Sequence, residues 1–531
     1  MTGFPDIPRE VRAEELETGP ALPAEAFGGP EELVEHLDIP EGARVVNMTL
    51  DEAVHLAVRQ NVQVRKDYLD RVAQKYALDQ AEAKFTPNVN LDGTANFETK
   101  GGYDETYGQS QSSSKAESSK LELGPNVVQK IPTGGEFSFS WTNTREHSFS
   151  QGSGDSSNTV ENTSSWLLKF KQPLLKGGGY EYNMASVRRA RISEQKNVLN
   201  LRDSLSSVIN TSINLYYSLY QKYRLVQIAR ASLERSRKLF EQNKVRIEMG
   251  RMAANDIYES ESDVANQELS YETALNDLDQ ARLALLDHLE LERDMRIVPV
   301  EDIRFEPLNP DFEQCLRLAR RNNKDYLFRA YSVEEQEINL AQVKNQRMWD
   351  LSLTGQYGED YKGLSPGDDS KSNEWQAKVE LSAPVKLFGQ DSIERDKELL
   401  DARISLRKAA LDLRKGALDL ETSVRNKVRN VYTKLKLVNQ ARRSVDLARK
   451  KLAVEQVRLQ VGRSTNFKVV TYQNDLVQAQ KTEVDNIISY VNALTELDQT
   501  LGLTLGTWRI EFVTQDRELL KEMEVHEWGY F

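Results

Sequence analysis

Apolar residues recur three and four positions apart over two long stretches of the chain, and this spacing predicts α-helices. The pattern continues without a break over residues 198–240 and returns in the same register over 413–452. A sustained heptad of this kind is typical of coiled coils. A helix from about residue 185 to residue 248 would be roughly 95 Å long. Helices of this length predict an elongated shaft.

Each long helix is expected to end at a glycine and to be followed by a second helix. Gly250 and Gly462 interrupt the two heptad patterns, and glycine is common just past the end of a helix. Returning helices are then expected over about 255–290 and 467–501. Together these segments predict two long helical hairpins.

The first part of the chain contains an irregular arm and a shorter helix. Residues 1–46 are acidic and rich in proline, without helical or strand periodicity. A helix is expected over 49–85, because Thr49 and Glu52 have the spacing of a capping box and Pro87 follows its end.

Strict alternation of apolar and polar residues predicts β-strands between the shorter helices and the long ones. The alternation is clear over residues 88–97 and in return strands at 166–170 and 377–383. A further hairpin is expected over 121–141. One face of each strand would suit lipid and the other would suit water.

Most of the chain is a tandem repeat. Residues 49–94 align with 311–356 at a constant offset of 262, and residues 189–291 align with 401–503 at an offset of 212. The first copy therefore carries about 50 extra residues in its strand region. We divide the chain into the arm, a first repeat, a second repeat and a C-terminal tail: 1–46, 47–300, 301–510 and 511–531.

Composition and charge narrow the possible functions. A net charge of −12 argues against nucleic acid as a partner, because phosphate backbones are bound by basic surfaces. The sequence contains no stretch of 18 apolar residues, which a membrane-spanning helix would need. A β-barrel remains possible, because its alternating strands leave little hydropathy signal. Residues 1–20 lack a basic start followed by an apolar core, so we expect no readable secretion signal in this chain.

No pattern in the sequence indicates catalysis, a metal site or a cofactor. Cys315 lies at an apolar-periodic position and is expected to be a small buried residue. The glycines at 177–179 lack the spacing of a phosphate-binding loop and predict a turn. The five histidines have no ligand spacing; they are His36, His55, His147, His288 and His526.

The order and duplication of these segments resemble the outer membrane efflux protein family, of which TolC is the best-known member. The resemblance covers about residues 47–510 and depends on residues 50–53 with Asn61, on residues 172–179, and on Val461 with Gly462. It implies a mainly α fold with a β-barrel section: a long α-helical barrel joined to a transmembrane β-barrel, assembled as a homotrimer. It also implies a passive export duct that extends from the outer membrane into the periplasm. Its partners would be outer-membrane lipid, a periplasmic adaptor and an inner-membrane pump.

Several alternatives remain open at the level of sequence. The trimer's barrel would hold 12 strands if only the repeated pairs join it and 18 if the extra hairpin joins too, and we prefer 12. The heptads alone would also suit a soluble coiled-coil scaffold or filament. Within the duct interpretation, small-molecule efflux and type I protein secretion are not separated.

The resemblance assigns adaptor docking to the ends of the two helical hairpins. The corresponding residues are Gly250 and Arg251 in the first repeat and Gly462 and Arg463 in the second. The alternative is that both glycines only end their helices.

A pore constriction is expected just beyond the same glycines. The matching residues are Asp256 and Lys468, where many relatives carry aspartate, so the constriction would combine both charges. The alternative is that both are ordinary solvated residues. Four tryptophans in or beside the strands are expected at the membrane interface, with core packing as the alternative: Trp141, Trp166, Trp349 and Trp375.

Overall fold

The computed structural model describes residues 45–104, 112–151, 156–250, 253, 255, 257–300, 307–363, 369–382 and 390–510. The chain divides into two compact units, each assembled from three segments. The coiled-coil unit comprises Met1–Asn61, Val208–Asn309 and Arg429–Glu496. The sheet unit comprises Val62–Ser207, Pro310–Val428 and Leu497–Phe531.

The coiled-coil unit consists of helices and one short parallel strand pair. Its strands are β1 (Val45–Met48) and β6 (Arg296–Pro299). Two helices lie entirely within this unit, α1 (Leu50–Gln60) and α4 (Ile257–Leu289). Three longer helices lie partly within it: α3 (Tyr180–Glu248), α7 (Gln390–Gln460) and α8 (Asn466–Leu501).

The sheet unit contains one six-stranded antiparallel sheet in the order β2-β3-β4-β5-β7-β8. Its strands are β2 Asn88–Asp104, β3 Ser112–Lys130, β4 Glu136–Gln151, β5 Ser156–Pro173, β7 Asp350–Gly363 and β8 Asp369–Ser382. Its shorter helices are α2 Val62–Glu82, α5 Phe312–Asn322, α6 Lys324–Gln346 and α9 Thr504–Thr507.

The inserted hairpin of the first repeat belongs to this sheet. The strands β3 and β4 are paired with each other and lie between β2 and β5. The preference for a sheet without this hairpin is therefore wrong for the single chain. The alternation over 121–141 identified both strands, but only the pairing places them between β2 and β5.

The heptad pattern forms a packed core in the coiled-coil unit. Leu239 of α3, Val445 and Leu452 of α7, and Val469 and Leu476 of α8 form one buried cluster. Each such side chain contributes roughly 1.5–3 kcal/mol by leaving water. The predicted coiled-coil packing is confirmed here.

Two asparagines break the shorter helices where the sequence suggested continuous ones. Thr49 and Glu52 form the expected capping box at the start of α1. However, α1 ends at Gln60, and Asn61 separates it from α2. Asn323 separates α5 from α6 in the same way, and its side chain accepts a hydrogen bond from the backbone of Tyr326.

The long helices have the expected extent. α3 has 69 residues and α7 has 71, so each is roughly 100 Å long. No α-helix in the described part of the chain combines the length and the apolar content that a bilayer crossing requires.

Candidate functional site

The end of α7 is a tight glycine turn. Gly462 has a φ of +73°, a conformation that suits glycine. Its backbone N–H donates to the carbonyl of Leu459 at 3.2 Å, and the N–H of Arg463 donates to the carbonyl of Arg458 at 2.8 Å. This pair of hydrogen bonds is a Schellman motif. A Cβ atom at Gly462 would meet no atom within 4 Å, so the turn is open to a partner.

The end of α3 has a similar turn. Gly250 has a φ of +66° and donates its backbone N–H to Ile247 at 2.9 Å. A Cβ atom here would also meet nothing within 4 Å. Arg251 lies outside the described residues. The predicted helix ends at both glycines are confirmed, whereas adaptor docking there stays a prediction.

Exposed apolar side chains surround the second turn. Val454 and Val457 lie on one face of α7, and Val461 directly follows the helix; they are 51%, 59% and 63% exposed. Phe467, at the start of α8, is 64% exposed. We call these four residues the tip patch. A group of exposed apolar residues at one place is typical of a protein-binding surface.

Glu455 is a buried carboxylate directly behind this turn. It is 4% exposed and accepts a hydrogen bond of 2.5 Å from the Ser464 hydroxyl. Arg458 forms an ion pair with it at 3.3 Å. The Ser464 hydrogen bond holds the pKa of Glu455 below its usual value, and the charges of Arg458 and Lys468 act in the same direction.

Sequence reasoning missed Glu455, although a signal was present. Residues 445, 452 and 459 set the core register of α7, and position 455 falls on the same buried side. A charged residue at a core position of a heptad was therefore the available indication.

The predicted pore constriction is only partly described. Asp256 lies outside the described residues. Lys468 is exposed on α8, and its charge acts on Glu455. The pairing of Lys468 with Asp256 stays a prediction.

Three of the four predicted interface tryptophans lie in one row across the sheet. Trp141 is paired with Trp166, and Tyr357 with Trp375, on the face that also carries Phe97. The rings of Trp166 and Tyr357 meet edge to face with centroids 5.3 Å apart. Trp375 is 77% exposed, so ordinary core packing does not account for it.

Trp349 lies just before the start of β7, whereas the aromatic row crosses β7 near its middle, at Tyr357. Trp349 precedes Tyr357 by eight residues. At 3.3 Å per residue this separation is about 26 Å, close to the ~25 Å height of the apolar band on membrane β-barrels. Apolar residues such as Leu353 and its partner Val379 lie between these two levels, and the placement of the tryptophans at a membrane interface stays a prediction.

The two faces of the sheet differ in polarity. Val89, Leu91 and Phe97 of β2 are 66%, 72% and 81% exposed on the apolar face. The neighbouring residues Asn90 and Asp92 lie on the other face, where Asn90 is paired with Asn126 of β3. This arrangement matches the alternation that the sequence predicts.

No catalytic or metal centre is evident in the described part of the chain. In that part, no cluster of three or more His, Cys, Asp or Glu side chains could hold a metal ion. Cys315 is buried as expected, and burial raises the pKa of its thiol. Gly177 and Gly179 have φ values of +79° and +98°, and Asn345 binds the backbone of Gly177 at 2.8 Å, so this segment is a turn.

A segment in the second half of the chain matches a protein-family model. Residues 315–503 match the family model described as outer membrane efflux protein. Among curated protein sequences, none matches the chain. The match confirms the resemblance to this family.

Solved structures with a similar fold include outer-membrane proteins. The chain is similar to CusC, whose structures concern folding and transmembrane channel formation, with a TM-score of 0.61, 11% identity, and coverage of 92% of this chain and 98% of CusC. It is also similar to the outer membrane protein VceC of Vibrio cholerae (TM-score 0.58, 14% identity, 85% and 96% coverage). A third is the open state of the MtrE outer membrane channel of Neisseria gonorrhoeae (TM-score 0.58, 13% identity, 85% and 88% coverage). At these identities the similarity establishes the fold.

Proposed function

We propose that the chain is a member of the outer membrane efflux protein family and forms a passive export duct through the outer membrane. The observation that carries this proposal is the sheet, which has one exposed apolar face bounded by aromatic residues and one polar face. In water such an apolar face is unfavourable, whereas in a bilayer it is the expected lipid-facing surface. The polar face would line the passage, and the role needs no catalytic group or cofactor.

The edges of the sheet support closure by further copies of the chain. β2 has 17 residues and lies at one edge, and β8 lies at the other. Long edge strands offer unpaired backbone groups, which are costly in lipid. A ring of three chains would hold 18 strands, because each sheet has six.

An exposed heptad on α7 supports the same assembly. Ile404, Leu411 and Leu418 follow one another at seven-residue spacing and are 40%, 51% and 59% exposed; Leu400, four residues before Ile404, lies on the same face and is 56% exposed. An apolar seam on a helix is normally covered by another helix. We assign this seam to a neighbouring copy in a homotrimer.

Two equivalent hydrogen bonds support the tandem repeat. The side chain of Asn61 donates to the carbonyl of His288 at 3.1 Å, and that of Asn323 donates to the carbonyl of Thr500 at 3.1 Å. The two donor residues are 262 positions apart in the sequence and the two acceptor residues are 212 apart, which are the two repeat offsets. The same tether therefore recurs at matching positions of the two repeats.

In this function the open glycine turns and the tip patch are the docking site for a periplasmic adaptor that couples the duct to an inner-membrane pump. The cargo would be chosen by the pump and adaptor, so both small-molecule efflux and protein secretion are compatible with the chain. The rival interpretation, a soluble coiled-coil scaffold, gives no role to an apolar sheet face bounded by tryptophans.

Membrane extraction and particle mass test the proposal. We expect the full-length protein to require detergent for extraction, to have the mass of a trimer in multi-angle light scattering, and to conduct ions in planar bilayers. Leu411→Glu with Leu418→Glu should leave a monomer, whereas a double change at exposed polar positions of α7, Lys408→Glu with Lys415→Glu, should leave the trimer. A parent protein that is soluble and monomeric without detergent would contradict the proposal.

A further inference from the structure

A buried carboxylate occupies a core position next to the turn that ends α7. The preceding core residues on this side of α7 are apolar, and Val445 and Leu452 belong to the buried cluster. Glu455 follows them at 4% exposure. A buried charge is unfavourable unless it is paired and hydrogen-bonded. The position would be more simply filled by leucine, so the charge requires an explanation.

The partners of Glu455 lie on both sides of the glycine turn. Arg458 precedes Gly462 on α7, at 3.3 Å from the carboxylate. Ser464 follows Gly462 and donates its hydroxyl hydrogen bond at 2.5 Å, nine residues away from Glu455 in sequence. The carboxylate therefore joins the last turns of the helix to the chain that leaves it.

Among the described residues, the first hairpin has a different arrangement at the equivalent position. Asn243 corresponds to Glu455 at the repeat offset of 212. It is neutral and buried, and its amide donates to Ser260 at 3.3 Å and to Asn466 at 3.0 Å. These partners lie on α4 and α8, so Asn243 connects neighbouring helices. The two hairpin ends are therefore chemically different.

We propose that Glu455, Ser464 and Arg458 form a clamp that holds the second glycine turn in the shape an adaptor binds. The inference depends on the proposed function, because it assigns the adaptor to this turn. Glu455 is a positioning residue: it faces away from the partner and fixes the backbone between Val461 and Phe467, two members of the tip patch. A turn already fixed in its bound shape loses less conformational entropy on binding.

The clamp makes a prediction that a purely structural role does not. Glu455→Leu fills the core position with an apolar side chain, and such replacements of buried charges are often neutral or stabilising. We expect its melting temperature to equal or exceed that of the parent. Backbone amides between 461 and 465 should nevertheless exchange with deuterium at least about tenfold faster, because the turn has lost its link.

Ser464→Ala and Glu455→Gln test the same clamp with smaller changes. Ser464→Ala removes only the hydroxyl and should accelerate exchange in the same segment by about threefold. Glu455→Gln keeps an acceptor for Ser464 but loses the charge, so its exchange should fall between the parent and Glu455→Leu. Asp446→Leu is the matched control, because Asp446 is an exposed acid on α7 that is paired with Lys450.

Adaptor binding is measured with a defined probe. A photoreactive residue at Val461 is used in cells to crosslink and identify the adaptor, and the recombinant adaptor is then titrated as the probe onto the purified trimers. We expect Glu455→Leu to weaken binding by about tenfold and Asp446→Leu to leave it unchanged.

Normal exchange in both Glu455→Leu and Ser464→Ala would overturn the clamp, whatever the adaptor result. If adaptor affinity falls in proportion to melting temperature across all variants, Glu455 has only a structural role, and the clamp is overturned as well. If Gly462→Glu binds the probe normally, the turn is not the docking site and the proposed docking fails. If only Gly462→Glu loses binding, docking at the turn stands and the clamp alone is wrong.

Discussion

Asp498 is an acidic residue held in poorly hydrated surroundings near the end of α8. Burial raises the pKa of its carboxyl to about 6 from an ordinary 3.8, although Thr507 donates a hydrogen bond to it at 3.3 Å. The folded protein therefore holds this proton more tightly than the unfolded chain. Its effect on stability is most favourable below pH 4 and is lost as pH rises through about 6.

Asp498→Asn removes this dependence. At pH 8 the variant should be more stable than the parent by about 1–3 kcal/mol, because an uncharged amide avoids the cost of burying a carboxylate. At pH 4 the two proteins should melt together. Melting curves followed by circular dichroism between pH 4 and 8 provide the measurement, with the exposed Asp446→Asn as control. Equal melting temperatures at pH 8 would show that Asp498 is adequately solvated.

Asn323 combines three roles that a sequence pattern does not separate. Its backbone N–H closes α5 by donating to Ala319, its side-chain oxygen caps α6, and its side-chain nitrogen binds the carbonyl of Thr500. Asn323→Ala should lower the free energy of unfolding by about 1–2 kcal/mol, since it removes a cap and a long-range hydrogen bond. Arg321→Ala, an exposed neighbour, should change it by less than about 0.5 kcal/mol. Denaturant titration of the detergent-solubilised protein tests both, and equal losses would contradict this role.

At the scale of elements, the sequence predicted the long helices and the alternating strands because each has a periodic pattern of apolar residues. It predicted the glycine turns because glycine is common just past the end of a helix. It missed the breaks at Asn61 and Asn323, where the apolar spacing continues but asparagine side chains bind carbonyls more than 170 residues away. It identified the strands of the inserted hairpin but not their place between β2 and β5. The charge of Glu455 at a core heptad position was visible in the sequence, but its partner Ser464, beyond the turn, was not.

Two substitutions at Gly462 distinguish the effect of backbone strain from the effect of blocking the docking surface. Gly462→Ala introduces a Cβ atom that meets nothing within 4 Å, so its cost is limited to the left-handed backbone, about 1–2 kcal/mol. Gly462→Glu adds a bulky charge beside the tip patch. We expect Gly462→Ala to retain most export and Gly462→Glu to abolish it, while both form trimers in the membrane. Normal export by Gly462→Glu would leave the glycine as a simple helix end.

At the scale of the whole assembly, the trimer would bring six charged residues to a similar depth around the pore. Asp256 and Lys468 are equivalent at the repeat offset of 212. Three copies would therefore alternate acid and base near the hairpin ends. Opposite charges about 4 Å apart attract by roughly 1 kcal/mol in water and roughly 4 kcal/mol at an effective dielectric constant of 20. Several such pairs could favour a closed ring that an adaptor opens.

Asp256 is the residue to change first, because Lys468 also acts on Glu455. Any variant that changes Lys468 also alters the charge near the clamp, so the double variant is compared with Lys468→Asp alone. Asp256→Lys should turn attraction into repulsion and raise the open probability of the trimer in planar bilayers, and adding Lys468→Asp should restore closure. Glu272→Lys, an equal change of charge at an exposed position of α4, should conduct like the parent. If Asp256→Lys and the double variant also conduct like the parent, the two residues are solvated side chains and the constriction lies elsewhere.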